Sequence, residues 1–474
     1  MAQTTRSPRR APTLTTPADA QMPPSTVAGV TAAVTQAFID ERGKSFDADP
    51  LNTMRQNAMA EADAGKLGLN QRVAMTVDRN FSTRLDDWGP TDQKSSGRCW
   101  LFAATNLLRV GVMKKLKLKT FEFSQSWLMF WDKLEKANYF LEAIIGTAEK
   151  DIDDRTVVTI LENCVADGGQ WNMFVNIALK YGLVPKAAMP ETLSSSATGA
   201  MNGALVGRLR VGAFELRGLH AAGRPVEDLR AAKQKIMGDV FTILRLHMGN
   251  PPKEFDWQWT DDKKKFHREK GLTPRSFTKK YVTLPLRDYV ALVHDPRKTS
   301  PVGRTFTVEY LGNVVEGGIV TYLNVDIATM KQIAIKTLKS GEAVWFGCDC
   351  SKMLHRDLSV WDARMFDFET LYGAPLELAS KEDRLLYKRT SMNHAMLFTG
   401  VDEEHGKPKK WRVENSWGDK GEGKGLYVMN DSWFDQHMFE IAARKSALPA
   451  KLRAALDQAP IILPAWDPMG SLAD

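Results

Sequence analysis

Cysteine is scarce in this chain of 474 residues, and its four cysteines exclude a disulfide-stabilised scaffold. They contain no pair of CxxC elements, so a structural zinc site is excluded as well. Cys348 and Cys350 lie in an apolar run typical of a buried strand, where a free thiol is a small hydrophobic side chain. We therefore predict free thiols in a reducing, cytoplasmic compartment, and we expect no metal and no other cofactor.

Long apolar runs and a large charge of one sign are also missing. No stretch approaches the ~20 apolar residues of a membrane helix, so we predict a soluble protein without a membrane partner. The 64 Lys and Arg against 57 Asp and Glu give a net charge of +7, which permits weak nucleic-acid binding without arguing for it. The 43% hydrophobic content excludes a disordered protein, and the length suggests about two or three structural units.

The order of helical and strand patterns predicts an α+β fold. Helical patterns dominate the first part of the chain and strand patterns the last, with a charged, aromatic-rich stretch between them. The predicted parts are a flexible N-terminal arm at 1–50, a helical half at 51–202, a helical, surface-exposed insertion at 203–325, a sheet half at 326–445 and a C-terminal tail at 446–474.

Individual elements follow from caps, breakers and periodicity. Ser124 and Asp326 are N-cap candidates, and Gly182 and Gly341 are helix-ending glycines. The predicted helices lie near 34–41, from Cys99 to Met113, from Ser124 to Leu134, from Trp171 to Tyr181 and from Asp326 to Gly341, and the predicted strands are Ala343 to Cys348, His394 to Val401, Lys410 to Glu414 and Gly425 to Met429.

Cys99 is the first candidate for a reactive residue. It begins a helix with almost no polar face, so its thiol lies at the helix N-terminus, where free N–H groups and the positive end of the dipole stabilise a thiolate. Gly97 lets the backbone approach a substrate closely. The alternative is a core cysteine beside Trp100, which would be the better interpretation if Cys99 stood alone.

A thiolate nucleophile needs a base and a group that orients the base, and two later segments supply candidates. His394 begins an apolar strand, from which its ring can project into a cleft. Asn415 follows in Glu-Asn-Ser-Trp-Gly, where its amide oxygen can select the imidazole tautomer and Trp417 can shield that hydrogen bond. The three residues together favour a Cys-His-Asn triad over a structural cysteine.

The segments around these residues resemble the papain-like cysteine peptidases, and within them the bleomycin hydrolase or aminopeptidase C branch. Gln93 lies six positions before Cys99, as the oxyanion-hole glutamine of that family does. The segments that carry the resemblance are Ser95-Ser-Gly-Arg-Cys-Trp-Leu-Phe-Ala103, Phe123-Ser-Gln-Ser-Trp127, Asp167-Gly-Gly-Gln-Trp171, Gly341-Glu-Ala-Val-Trp-Phe-Gly-Cys348, Trp411-Arg-Val-Glu-Asn-Ser-Trp-Gly418 and Ile461-Ile-Leu-Pro-Ala-Trp-Asp-Pro-Met-Gly470.

The resemblance implies a papain-like fold and a cysteine aminopeptidase that acts on peptides with a free N-terminus and on bleomycin-like amides. Cys99 and His394 would form a thiolate–imidazolium pair, Asn415 would orient the histidine, and Gln93 would help to hold the oxyanion. The separation of Cys99 and His394, roughly 295 residues, exceeds the ~130–150 of papain relatives. The insertion accounts for the surplus, and in the branch it helps to build a homohexamer.

The C-terminal tail is implied to set specificity. In the branch the tail lies in the substrate cleft and presents its terminal carboxylate, which would pair with a substrate's α-amino group and exclude longer N-terminal extensions. Ala473 and Asp474 are therefore substrate-positioning candidates. We predict that the enzyme removes its own Asp474 and leaves Ala473 as the working terminus.

Three alternatives stay open. A papain-like acyltransferase would use the same triad with another attacking nucleophile, and a catalytically inactive scaffold would keep only the fold. The stretch from Lys253 to Lys280 combines basic residues with aromatic ones, which fits a hexamer that binds single-stranded nucleic acid and has a secondary peptidase activity. Trp257 and Trp259 are predicted to be exposed and to form contacts between subunits.

Overall fold

The structure, a computed structural model, describes residues 33–86 and 88–473. It divides into two compact units, one ending at Leu67 and one beginning at Gly68. None of the described helices is long and apolar enough to cross a membrane.

The unit that ends at Leu67 is helical. Thr35 caps its first helix by accepting a hydrogen bond from Phe38 N, and Asp49 caps the second ahead of Pro50, whose fixed φ suits a first helical turn. No residue of either long helix is buried. The helices are α1 (Gln36–Asp47), α2 (Pro50–Glu61) and α3 (Ala64–Leu67).

The first part of the larger unit is also mainly helical. Ser124 Oγ caps α6 by accepting from Trp127 N at 3.0 Å, and α8 ends at Gly182, whose φ of 75° favours glycine. The elements are α4 (Gln71–Ala74), β1 (Thr83–Arg84), α5 (Cys99–Leu116), α6 (Gln125–Gly146), α7 (Arg155–Glu162), α8 (Trp171–Tyr181), α9 (Leu193–Ser196), α10 (Gly199–Ala221) and α11 (Val226–Met248).

The middle of the chain alternates strands and helices. Asp326 Oδ1 accepts a hydrogen bond from Thr329 N at 2.8 Å and so caps α13, whose residues Met330, Ala334 and Leu338 are buried on one face. The elements are β2 (Phe255–Thr260), β3 (Phe266–Leu272), α12 (Pro274–Tyr281), β4 (Tyr289–Val293), β5 (Thr305–Val308), β6 (Tyr322–Asn324), α13 (Ile327–Lys339), β7 (Val344–Cys348), β8 (Leu354–His355), β9 (Val360–Trp361), α14 (Phe368–Tyr372) and α15 (Lys381–Leu386).

The last part supplies the long strands of the sheet. A tight turn joins the first two of them, a longer loop at 415–425 precedes the third, and short helices separate the others. The elements are β10 (His394–Glu404), β11 (Lys407–Glu414), β12 (Leu426–Asn430), α16 (Asp431–His437), β13 (Met438–Arg444), α17 (Ala450–Ala455) and β14 (Ile461–Leu463).

One large mixed sheet organises the unit. Within the described residues twelve strands form it, in the order β14-β5-β6-β4-β13-β7-β10-β11-β12-β9-β8, with β1 beside β10. Side chains alternate between its faces: Trp345 packs towards α5 and α8, whereas Phe346 packs towards α13 and α16. The fold is therefore α+β, as predicted, and α5 places Cys99 against the start of β10.

Two sequence expectations differ from the structure. Residues 36–47, inside the predicted flexible arm, form a capped helix longer than the one expected near 34–41, and residues 1–32 lie outside the described part. The predicted helical insertion is not purely helical. Its helices α10 and α11 bury apolar faces in the same core as α6, and β4, β5 and β6 belong to the large sheet.

The predicted exposure of the insertion's tryptophans is wrong. Trp257 is only 6% exposed because strand β2 turns that face onto the rings of Phe121, Phe277 and Tyr281. Trp259 is half-buried and stacks on the neighbouring strand. Because side chains alternate along β2, its polar side chains point outward. Trp257 and Trp259 therefore have their packing partners within one chain.

Candidate active site

Cys99 is the first residue of α5 and is completely buried. Its Sγ accepts a hydrogen bond from the backbone N–H of Ala395 at 3.4 Å, which places the thiol one residue away from His394 at the start of β10. The helix N-terminus lies behind the sulfur, and its N–H groups favour a developing negative charge there. The position has what a thiolate nucleophile requires.

His394 is held by the asparagine that the sequence indicated. Its Nε2 lies 2.9 Å from Asn415 Oδ1, and the indole of Trp417 covers the imidazole with ring centroids 4.8 Å apart. The guanidinium of Arg356 also lies over that indole, 4.6 Å from the ring centroid. Because Asn415 Oδ1 is an acceptor, the proton of the neutral imidazole is fixed on Nε2, and Nδ1 remains free to accept a proton.

Burial lowers the pKa of His394 to about 4, since it disfavours the imidazolium; the hydrogen bond to Asn415 opposes this effect and the charge of Arg356 adds to it. An ionised Cys99 would place an opposite charge close to the imidazole, which favours the imidazolium. The arrangement is therefore compatible with the thiolate–imidazolium pair that the resemblance implies.

Gln93 is tied to the same segment as the asparagine. Its Oε1 accepts from Ser416 Oγ at 2.6 Å, and its backbone N–H donates to Ser416 O at 2.8 Å. Its Nε2 donates to Ser96 O at 2.6 Å, which uses one of the two amide hydrogens and leaves the other for a ligand. Ser416, whose role the sequence did not indicate, thus aligns the predicted oxyanion donor with the predicted triad.

A buried ion pair joins the helix of Cys99 to the strand that ends just before Asn415. Glu414 Oε1 accepts from Arg109 at 2.7 Å and from Asn106 Nδ2 at 2.8 Å, and both donors lie on α5. Burial raises the pKa of Glu414, although Arg109 and Arg412 oppose the shift. Sequence analysis missed this link; its one signal was a charged residue at the end of an apolar strand.

The loop before Cys99 rests on a second buried carboxylate. Gly97 N donates to Asp167 Oδ2 at 3.1 Å, and the indole N–H of Trp100 donates to Asp167 O at 2.9 Å. Burial alone would raise the pKa of Asp167, but Lys133 at 2.5 Å holds it well below its usual range. The carboxylate therefore stays charged and holds the backbone at Gly97, while the backbone carbonyl of Asp167 holds the indole of Trp100.

The C-terminal tail lies beside this loop. Gly169 N donates to Ala473 O at 3.1 Å and Ala473 N donates to Gly169 O at 3.3 Å, and Gln170 Nε2 donates to Ser471 O at 2.5 Å. A Cβ on Gly169 would lie 2.6 Å from the indole of Trp100, so only glycine lets the tail and the residue after Cys99 meet here. Ala473 is completely buried, and Asp474 lies outside the described residues.

An ion pair anchors the tail at Asp467, before its last residues. Arg297 donates to Asp467 through two bonds of 3.0 and 2.8 Å, and Asp295 accepts from the same guanidinium. All three groups are buried or nearly so. This bidentate arrangement fixes the direction in which the tail runs towards Gly169.

The remaining thiols differ from Cys99. Burial raises the pKa of Cys350 to about 12 and raises the pKa values of Cys348 and Cys164 as well, so all three are protonated at neutral pH. Within the described part of the chain, no group of three or more His, Cys, Asp or Glu side chains is arranged to hold a metal ion. The arrangement is thus suited to nucleophilic chemistry at one cysteine.

Known proteins resemble the chain over almost its whole length. The Peptidase C1-like family matches residues 33–470. The chain is 40% identical over 438 residues to aminopeptidase C of Lactobacillus delbrueckii subsp. lactis, covering 92% of this chain and 97% of that protein, and 38% identical over 440 residues to bleomycin hydrolase of Homo sapiens, covering 91% and 97%. The crystal structure of pepw from Lactobacillus rhamnosis HN001 superposes with a TM-score of 0.90 at 42% identity, covering 93% of this chain and all of that one.

Proposed function

The chain belongs to the Peptidase C1-like family and is a cysteine-type aminopeptidase, and we propose that it removes N-terminal residues from peptides and bleomycin-like amides through Cys99, His394 and Asn415. The observation that carries this proposal is the hydrogen bond between His394 Nε2 and Asn415 Oδ1 beside the thiol of Cys99. This hydrogen bond leaves Nδ1 of His394 as the base that faces Cys99, with Asn415 on the other side of the ring.

The reaction proceeds in two stages. His394 Nδ1 takes the proton of Cys99, whose sulfur attacks the scissile carbonyl carbon. The Gln93 side-chain amide and the Cys99 backbone N–H hold the oxyanion; losing one such donor costs ~2.7–4 kcal/mol of transition-state stabilisation. The imidazolium gives its proton to the leaving amine, and a thioester remains. Water then loses a proton to His394, attacks the thioester and releases the acyl group as a carboxylic acid.

The tail makes the enzyme an aminopeptidase. Ala473 pairs with Gly169 next to Trp100, which supports a terminal carboxylate close to the nucleophile. That carboxylate would bind the α-amino group of a substrate, and the tail would exclude longer N-terminal extensions. The enzyme removes its own Asp474 so that Ala473 carries the carboxylate. Intact mass of the wild type beside Cys99→Ala tests this step, because only the variant should retain the aspartate.

The assembly is a homohexamer of 53.0 kDa subunits in the cytoplasm. The tryptophans no longer support it, since Trp257 is buried within one chain. Support comes instead from an apolar cavity of about 660 Å³ between α7 and α10, where Phe214 is 81% exposed. Light scattering tests the proposal, and a stable, active monomer would refute it.

Two alternative activities have weaker support. An acyltransferase would share the triad and is separated by analysing the products formed with an added amine. Weak nucleic-acid binding would require exposed aromatic rings for base stacking. Of the aromatic residues that alternate with the basic ones, only Phe266 is more than half exposed; the others are Phe255, Trp257 and Trp259.

Turnover of aminoacyl fluorogenic substrates, compared with N-acetylated peptides of the same sequence, tests the main proposal. We expect hydrolysis of the free-amino substrates only, and its loss after alkylation of Cys99. Equal turnover of both substrate classes would contradict the aminopeptidase proposal, and activity that survives complete alkylation would contradict the role of Cys99.

A further inference from the structure

An exposed arginine lies beside the tryptophan that covers His394. Arg356 directly follows β8, and its guanidinium lies over the indole of Trp417, 4.6 Å from the ring centroid. The imidazole of His394 lies against the same indole, with ring centroids 4.8 Å apart. Burial lowers the pKa of His394 and the charge of Arg356 lowers it further, so the guanidinium is close enough to act on the buried base.

The charge of this arginine is unused among the described residues. Its guanidinium has neither a hydrogen bond nor an ion pair there, and its one side-chain contact of this kind is with the indole. Two carboxylates near the covering tryptophan already have other partners. Asp92 pairs with Lys94 at 2.5 Å, and Glu422 pairs with Arg79 at 3.7 Å. A guanidinium of this kind offers five N–H donors to an anion that arrives from solution.

The backbone that carries Arg356 is fixed to the loop that carries Trp417. In that loop Glu422 N donates to the carbonyl of Asp357, the next residue after the arginine, at 2.8 Å. A Cβ on Gly421 would lie 3.0 Å from the carbonyl oxygen of Arg356, and the φ of 78° also favours glycine there. The arginine therefore keeps its place beside the indole.

The proposed reaction places the departing part of the substrate on this side of Cys99. The leaving amine takes its proton from His394, so the residue that departs lies against that imidazole and its tryptophan cover. The amino side is occupied by the tail, since Ala473 pairs with Gly169 beside Trp100. The first departing residue begins at hydrogen-bond distance from the imidazole and extends ~3.4 Å along the chain, which brings its carboxylate or acidic side chain towards the guanidinium.

We propose that Arg356 is a specificity-determining residue on the leaving side: it binds a carboxylate of the first departing residue. The preferred substrates are then peptides whose second residue is acidic, or dipeptides, whose second residue carries the terminal carboxyl group. The inference rests on the proposed function, because it takes Cys99 as the nucleophile and His394 as the acid. It needs only one residue on the amino side of the scissile bond, so it agrees with aminopeptidase action.

The test compares unblocked peptides that differ by one carboxylate. One pair is Ala-Leu with a free C-terminus and its C-terminal amide; the other is Ala-Glu amide and Ala-Gln amide. Release of alanine is measured by liquid chromatography with mass spectrometry. We expect kcat/KM to favour the carboxylate member by about fivefold, mainly through KM, which is the scale of a partly exposed ion pair. The preference should shrink as sodium chloride is added, because salt screens such pairs.

Arg356→Met keeps the length of the side chain and removes its charge. We expect the carboxylate-to-amide ratio to fall to near one in this variant, with Arg356→Lys between it and the wild type. Arg268→Met is the matched control, since Arg268 is also exposed and lies over a ring, that of Phe266, and it should keep the wild-type ratio. Turnover of an alanyl fluorogenic amide, whose leaving group is neutral, corrects each variant for a general change of activity, including one that acts through the imidazole.

Equal kcat/KM within both pairs in the wild type would overturn the inference, and so would a preference that survives in Arg356→Met. A preference in one pair alone that Arg356→Met abolishes supports the inference and identifies the source of the carboxylate. Turnover of the neutral alanyl amide shows separately whether the Cys99 chemistry stands. Failure of the leaving-side contact is thereby distinguished from failure of the proposed function.

Discussion

Around Cys99 the site is held by side chains, whereas the C-terminal tail is held beside it largely through backbone groups. Asn415 binds His394, Ser416 binds Gln93 on the loop before Cys99, and Glu414 binds Arg109 on α5. Each of these partners is distant in sequence. The last residues of the tail use two backbone hydrogen bonds to Gly169 and one bond from Gln170. Chemistry therefore depends on particular side chains, while exclusion and specificity depend on where a segment of backbone lies.

Replacing the nucleophile should give the largest effect. Cys99→Ala is expected to lower kcat/KM at least a thousandfold with an unchanged melting curve, because no other thiol lies at a helix N-terminus beside His394. Mass spectrometry of iodoacetamide-treated protein should find Cys99 labelled first, and Cys164→Ala serves as the matched control. Faster labelling of Cys348, or an active alanine variant, would show that another residue carries the chemistry.

Removing the oxyanion donor should have the next largest effect. Gln93→Ala is expected to lower kcat by about 10²–10³-fold, since in the proposed mechanism its amide donates where charge develops. Ser416→Ala removes only the support of Gln93 Oε1 and should lower kcat less. A Gln93 variant that changes KM alone would place this side chain outside the oxyanion site.

Shortening the tail tests the other side of the comparison. Deletion of residues 470–474 removes the pairing of Ala473 with Gly169 and should reduce the preference for free-amino over N-acetylated substrates more than tenfold. Deletion of Asp474 alone should leave the preference unchanged, because Ala473 is expected to be the working terminus. If the longer deletion leaves an unchanged aminopeptidase, the tail does not set specificity.

Breaking the buried ion pair between α5 and β11 should affect stability. Arg109→Met leaves Glu414 buried without its charge partner, and we expect the free energy of unfolding to fall by about 3–5 kcal/mol in denaturant titrations. Lys339→Met removes the more exposed pair with Glu403 and should change it by no more than ~1 kcal/mol. Similar values for the two variants would mean that the buried pair does not hold the halves together.

The buried carboxyl of Glu440 should make stability depend on pH. Its pKa rises from 4.5 to about 8 on folding, so between these values the folded chain binds more protons than the unfolded chain. Stability is therefore lost as pH rises through this window. His394 acts in the opposite direction at lower pH, since its folded pKa of about 4 lies below 6.5. Melting temperatures of Glu440→Gln should not fall in this way between about pH 4.5 and 8. If the melting temperatures of the wild type and the variant change with pH in parallel, this assignment is contradicted.

Local patterns were sufficient for the elements that carry the chemistry. The helix from Trp171 to Tyr181 has the predicted bounds, Ser124 and Asp326 are the observed caps, and the predicted strands near His394 and Asn415 are present. Caps, helix-ending glycines and apolar periodicity act over a few residues, so they can be read directly from the chain. The separation in sequence of Cys99 and His394 did not matter, because each residue begins its own element.

The sequence by itself determined the triad candidates, the order of helices and strands and the family resemblance. Only the tertiary structure decided that Trp257 is buried, that Arg109 is the partner of Glu414, and that Glu440 lies unpaired beneath Met469. The physical reason is that the free energy of a buried aromatic or charged group depends on what packs against it, and those neighbours are brought together from distant parts of the chain by the sheet. No local pattern specifies them.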